Sequence, residues 1–425
     1  MTMDVVLKYG QGECRLRIPE KADVEILQPA TMPPVENVAA ALERSLAEPL
    51  DRPSFDRMVR EIAPKTVAIA VPDETRPAPL SAILSVLLRA LQRSAPGLDS
   101  SAVTVVVGGG LHPPLEDQAL WRVIPAEIGL RCKVVAHDAS RARMVDFGPT
   151  SRGTPLRVNA EFSEADLRIV IGQIDPHQFV GFTGGSKGVV IGLAAAETIE
   201  HNHGLMFDPS AQVGKLTGNP VREDMNEAGR MIGIHLATDV VLDPDKRPVS
   251  VLAGDPEAVL SEGADVCRSV YGVKISQKFD VVVASCGGHP KDICLYQAQK
   301  GLNLASQALK PGGKILLLAA CPQGVGDDVY YDYVGRFRTP QEVLEDFRRL
   351  GFKMGAHKAY LFGRTLDSFD VAIASELEKE ILDRCLLRSA EPQAQLQQWI
   401  DDFEGTPRVA VIPNANTTFF IVEPT

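Results

Sequence analysis

The sequence predicts an α/β protein of two domains, each with a Rossmann-like, mostly parallel sheet. Three observations carry this expectation. Short β-branched runs alternate with helical patterns, the alternation occurs as two separate series, and 425 residues at roughly 150 per domain allow two or three domains. The chain opens with DVVLKYGQGECRLRIP, in which apolar and polar residues alternate about Gly10-Gln11-Gly12, the pattern of a half-buried β-hairpin that must pack on something larger. The first series follows as TVAIAV (66–71), VTVVV (103–107), CKVVAH (132–137) and LRIVIG (167–172), with helical stretches such as PLSAILSVLLRALQRS between them. The second series is FDVVVASC (279–286), KILLLAAC (314–321), FDVAIAS (369–375), RVAVIP (408–413) and FFIVE (419–423), again interleaved with helices such as QEVLEDFRRL. Between them, residues 244–278 carry no strong strand pattern. The boundary is therefore placed so that residues 1–274 form the first domain and 275–425 the second, with residues 1–15 as candidates for packing on the second domain.

Composition narrows the function. With 44 Lys and Arg against 55 Asp and Glu, the net charge of −11 repels phosphate backbones and anionic lipid, so neither nucleic acid nor a membrane is an expected partner. No apolar run approaches the roughly 20 residues of a membrane span, and MTMDVVLKYG has neither the basic start nor the apolar core of an export signal, which points to the cytoplasm. The seven cysteines are odd in number and form no C-x-x-C, so they are expected to be reduced and mostly buried.

The polar clusters sit directly after strands. VAIAV is followed by PDETRP, VTVVV by GGGLHPP, RIVIG by QIDPHQFVGFTGGSKG, and VVVAS by CGGHPKD. Ligands of open α/β sheets bind outside the carboxyl ends of the strands, so four such clusters imply one shared cleft. In PDETRP, Asp73 and Arg76 lie three apart, and a guanidinium there can grip a carboxylate through two parallel bonds. Gly108, Gly109 and Gly110 allow close backbone approach to a ligand, and His112 is stiffened by Pro113 and Pro114 as a positioned acid or base. GFTGGSKG is not a phosphate loop, because Ser186 and Gly188 stand where that motif requires glycine and a hydroxyl. It remains a glycine-rich loop, with Gly184 and Gly185, presenting Lys187 near His177. An ammonium shielded by Val189, Val190 and Ile191 loses its proton more easily and can become a covalent attachment point. His201 and His203 are separated by about 200° around a helix, so at most one of them faces a given site. On the CLYQAQK segment, Tyr296, Gln297 and Lys300 share one polar helix face suited to a carboxylate.

Taken together, DETRP (73–77), GGGLH (108–112), PHQFVGFTGGSKG (176–188), ETIEHNH (197–203) and PKDICLYQAQK (290–300) resemble the nickel-dependent lactate racemase family, which includes other 2-hydroxy-acid racemases and epimerases. The likeness runs in order over nearly the whole chain. Its specific part is the spacing of ten residues from His177 to Lys187 and sixteen from Lys187 to His203.

The resemblance implies a nickel-pincer nucleotide, a pyridinium mononucleotide with two sulfur-bearing arms, attached covalently through the lysine that matches Lys187. It implies His203 as the protein ligand to nickel, and His112 and His177 as the acid/base pair. Arg76, Tyr296, Gln297 and Lys300 are implied to bind substrate. Asp73, with Gly184 and Gly185, is counted with the cofactor contacts, in a cleft between the two domains. The implied reaction interconverts the enantiomers of a 2-hydroxy acid through a planar 2-keto acid, in a protein that meets the cofactor-biosynthesis proteins transiently. One departure bears on substrate. Lactate racemase carries a tryptophan near the substrate in its second domain, whereas the tryptophans here are Trp121 and Trp399 and the corresponding segment reads KMGAHKAYLFG. The expected substrate is accordingly lactate or a related larger 2-hydroxy acid. Two other classes compete with the enzyme: a non-catalytic binder of hydroxy acid or nucleotide, which has no need of paired bases, and a nicotinamide-dependent oxidoreductase, which lacks its glycine fingerprint here.

Overall fold

The computed structural model describes residues 2–422, and Glu423 of the last predicted strand lies outside them. The chain forms two compact units, Thr31–Val270 and a second made of Met1–Ala30 with Tyr271–Thr425.

In the first unit, six strands lie in the order Pro248–Gly254, Leu236–Leu242, Leu167–Gln173, Val67–Pro72, Val103–Gly108 and Lys133–Ala136. All neighbours run parallel except the first pair. The central strand is buried along most of its length, which is why its sequence is a continuous apolar run and not an alternation. Helices Val38–Ala47, Phe55–Ile62 and Leu80–Ser94 pack their apolar faces into one core on this sheet. The short helices Ala160–Ser163 and Lys187–Val190 lie against its strands as well. The chain leaves the central strand first toward Val103–Gly108 and later returns to its other side at Leu167–Gln173. That reversal of strand order creates the crevice in which open α/β sheets bind ligands.

The second unit also has a six-stranded sheet, all parallel, in the order Arg388–Ser389, Asp370–Ala374, Leu309–Leu318, Phe279–Ser285, Arg408–Ile412 and Asp23–Ile26. The hairpin Met3–Tyr9 and Gly12–Ile18 turns at Gly10-Gln11. It buries Val5, Leu7, Leu16 and Ile18 against this sheet and helix Pro392–Asp401. The whole segment 1–30 therefore folds here, beyond the fifteen residues expected, because Asp23–Ile26 adds an edge strand and Leu27 donates its amide to Val411 at 2.8 Å.

Two further points differ from the sequence expectation. Leu236–Leu242 and Pro248–Gly254 are strands that it did not assign, the second inside the stretch read as strandless. Phe419–Val422 leaves the main sheet and pairs with Gly272–Ile275 in a separate two-stranded ribbon. All seven cysteines are free, six of them buried. No helix among the described residues is long and apolar enough to cross a membrane.

Candidate active site

Three of the four polar clusters stand at the ends of three adjacent strands of the first unit: Val103–Gly108, Val67–Pro72 and Leu167–Gln173. The fourth, CGGHPKD, follows Phe279–Ser285 in the other unit.

Asp73, the residue after Pro72, is buried. Its Oδ1 accepts the backbone N–H and the hydroxyl of Thr75, and its Oδ2 lies 2.8 Å from Nδ1 of His112. Burial works to raise the Asp73 carboxyl, but the hydrogen bonds from His112 and Thr75 and the charge of His112 outweigh it and hold the group below the ordinary carboxylate range. The ring of His112 remains half exposed. Arg76 is exposed and lines, with Asp73, Ser81 and Arg122, an open cavity of about 640 Å³.

The His112 loop is seated by close backbone contact. A Cβ on Gly108 would lie 2.8 Å from the carbonyl oxygen of Gly192, and the amide of Gly110 donates to that same oxygen at 3.1 Å. Gly192 ends the turn that follows Lys187–Val190, so glycine at 108 and 192 brings the histidine loop against the lysine-bearing helix.

Lys187 opens that helix. Part of the residue remains accessible, yet protein encloses its ammonium end, and burial, followed by the positive charges of Arg76 and Arg222, pushes it down to about 7 against the opposing pull of Asp73.

Two residues that the sequence reading missed hold the glycine loop ahead of Lys187. Arg222 is fully buried and donates to the carbonyls of Phe182, Val180 and Gly184. Burial lowers it to about 10, with Asp239 and Glu257 acting in opposition. Asp239, also fully buried, accepts the amide of Gly185 at 2.6 Å, and burial pushes its carboxyl up to about 7 against that bond and Arg222. Gly184 and Gly185 are buried at positive φ; a Cβ on Gly184 would meet Ile174 at 2.4 Å and one on Gly185 the Pro256 carbonyl at 2.8 Å. Their bareness thus has a packing cause. The available signal for Asp239 was an acid inside the apolar run LATDVVL.

His177 lies in a two-residue strand paired with Gly181–Phe182, and its Nδ1 accepts the amide of Val180 at 3.3 Å. The buried ring of Phe179, a third residue the sequence reading left unassigned, meets His177 edge-on at 4.7 Å and His203 at 5.1 Å between centroids. His203 is buried on helix Ala196–Gly204, with Nδ1 3.2 Å from Oδ1 of Asn202. The Asn202 amide donates to Asp224 at 2.8 Å, and Asp224 also accepts the hydroxyls of Thr150 and Thr154. His201 contacts Thr154 at 2.9 Å, while the Phe179 contact is made by His203. Among the described residues no group of three or more His, Cys, Asp or Glu could hold a metal by itself.

In the second unit, Tyr296, Gln297 and Lys300 lie on helix Leu295–Ala305. Lys358, from the segment expected to form the altered pocket wall, holds its ammonium 4.8 Å from the Tyr296 ring centroid and donates to Gln299 at 3.1 Å. Burial and then the charge of Lys300 push Lys358 down to about 8. Burial, followed by the charge of Asp327, raises the Tyr296 phenol well above its ordinary value.

Residues 9–214 match the lactate racemase N-terminal domain and residues 274–419 the lactate racemase C-terminal domain. A lactate racemase of Lactiplantibacillus plantarum is 30% identical over 381 residues, 88% of each chain. The chain belongs to the lactate racemase family. It is accordingly an isomerase, of the racemase type. A lactate racemase of Thermoanaerobacterium thermosaccharolyticum is 27% identical over 346 residues, 80% of each chain. The solved lactate racemase apoprotein from that organism shares the fold, with a TM-score of 0.88 at 24% identity over 99% of this chain and 100% of that one. A Thermotoga maritima protein is a more distant structural relative of the family member described here, with a TM-score of 0.58 at 15% identity over 87% and 98% of the two chains.

Proposed function

We propose that this chain interconverts the configurations of a 2-hydroxy acid, lactate or a larger relative, using a nickel-pincer nucleotide attached through Lys187. The observation that carries the reading is the Lys187 amine, enclosed beside two arginines on the helix against which the His112 loop packs, and pushed by burial down to about 7. A neutral amine is the nucleophile that can be acylated, and an ordinary lysine near 10.5 offers almost none of it at pH 7. The residues present also fit the metal. With Nδ1 of His203 donating to Oδ1 of Asn202, the neutral ring carries its lone pair on Nε2, the atom that would ligate a metal, and the Asn202–Asp224 contacts orient the ring. A single protein imidazole suits a metal whose other donors belong to the nucleotide.

When bound, that nucleotide supplies a reversible acceptor for the hydride on the substrate's Cα. The chain's own residues do the rest. His112 and His177 take the hydroxyl proton from one enantiomer and return a proton to form the other, each serving one configuration. Arg76, Gln297 and Lys300 would hold the carboxylate, with Tyr296 also at the substrate, so that the flat 2-keto acid stays bound until it regains both a hydride at Cα and a proton at oxygen. The absence of a tryptophan from KMGAHKAYLFG, with Lys358 against Tyr296 there, favours a substrate other than lactate alone.

The test is to purify the protein from a host that makes the cofactor and assay a panel of enantiopure 2-hydroxy acids by chiral chromatography. The expected protein has about one nickel per chain, a mass addition on the Lys187 peptide, and racemisation of at least one acid. His203→Ala should lose nickel, and His112→Ala or His177→Ala should keep nickel and lose turnover. Full loading with no turnover on any acid would refute the assignment.

A further inference from the structure

Resting on the assignment of His112 and His177 as the acid/base pair, we propose that Asp73 is a positioning residue that fixes the His112 proton on Nδ1, and that the fold holds the two histidines in opposite tautomers. His112 then presents a bare Nε2, and neutral His177 an Nε2–H.

The assignment at His112 follows from the carboxylate. Asp73 is buried with Oδ1 already accepting two hydrogen bonds from Thr75, so its orientation is set before His112 is considered. An ionised carboxylate can only accept, so the 2.8 Å contact from Oδ2 requires a proton on Nδ1 of His112. At His177 the partner has the opposite character. The amide of Val180 can only donate, so the Nδ1 that receives it at 3.3 Å is bare, and the proton of the neutral ring is on Nε2.

The two bases are therefore unequal. When the substrate O–H bond breaks and the Nε2–H bond of His112 forms, the imidazolium is already paired with Asp73. The same proton arriving at His177 would set an Nδ1–H against the Val180 N–H, so that ring must first release its backbone bond. Asp73 thereby acts on the proton inventory through His112, a role additional to the cofactor contact that the family resemblance implies for it.

The test uses Asp73→Asn in the full-length, cofactor-loaded chain. The two Thr75 donors hold the amide oxygen at the Oδ1 position, which turns the amide NH2 toward His112 and forces its proton onto Nε2. We expect kcat to fall by about 100-fold or more, the range lost when a general base is disabled. KM and the mass addition on Lys187 should change little, and Asp73→Glu should recover part of kcat. Selective 15N-histidine NMR, with or without cofactor, should show His112 protonated on Nδ1 in the wild type and on Nε2 in Asp73→Asn, with His177 protonated on Nε2 in both. Wild-type His112 protonated on Nε2, or a fully loaded Asp73→Asn enzyme with kcat within about threefold of wild type, would overturn the proposal. If the NMR pattern is as expected but the loaded wild type racemises no hydroxy acid, the tautomers stand and the functional assignment falls.

Discussion

Replacing Lys187 by methionine should make the cofactor-free protein more stable, although it removes the residue that the reading above makes the attachment point. In the unfolded chain the amine titrates near 10.5, and in the fold near 7, so folding disfavours its protonated form. The resulting penalty is complete below pH 7 and fades as pH rises toward the unfolded value. At about 1.4 kcal/mol per pH unit, its upper bound is about 5 kcal/mol at pH 6 and about 2 kcal/mol at pH 9. Local relaxation and water penetration reduce such penalties, so the measured gain at pH 6 should be about 1–3 kcal/mol. Methionine keeps the length and apolar stem of lysine without the charge. Urea titration reports this best through Trp121, the single tryptophan of the Thr31–Val270 unit, in a Trp399→Phe background. A variant no more stable than its parent at pH 6, or a gain that does not shrink by pH 9, would refute a desolvated ammonium at this position.

Asp239→Asn keeps an oxygen for the Gly185 amide but cannot ionise. Because burial raises the Asp239 carboxyl to about 7, folding disfavours its charged form as pH climbs through the interval from 3.8 to 7. The Tm of the variant relative to wild type should therefore rise between pH 5 and pH 8, as scanning calorimetry at the two values can check. Gly192→Ala puts a Cβ 2.1 Å from the Gly188 carbonyl oxygen, and should cost about 1–3 kcal/mol in urea titration while lowering the fraction of chains modified at Lys187. Phe179→Ala removes a buried ring shared by His177 and His203, so stability should fall by about 3–5 kcal/mol and nickel per chain, read by elemental analysis, should drop with it.

Much of this was legible in the sequence because it depends on local chemistry. A run such as VAIAV flanked by PDETRP states both a buried parallel strand and the loop at its carboxyl end, and period, β-branching and turn residues need no partner to be recognised. His112, His177 and Lys187 stood out by residue type and by their place after strands, whereas the choice of His203 over His201 came from the family resemblance. The separation of His201 from His203 is fixed by helical geometry. Leu236–Leu242 escaped notice although its pattern is apolar, because Asp239 interrupts it, and the acid is accommodated by a Gly185 amide 54 residues away in the chain and by the charge of Arg222.

What the tertiary structure alone decided are the pairings made across long sequence separations. The bond between Asp73 and His112 spans 39 residues, and Arg222 reaches back about 40 to the carbonyls of the glycine loop. Segment 1–30 joins the far end of the chain because an edge strand is stabilised by whichever strand offers free backbone groups, here Arg408–Ile412. Residue type sets which protons a side chain can carry. Burial and the neighbour supplied by the fold set where the proton sits, and so the sequence could name the lysine and the direction in which apolar neighbours push it, but not the arginines that add to that push or the tautomers of the histidines.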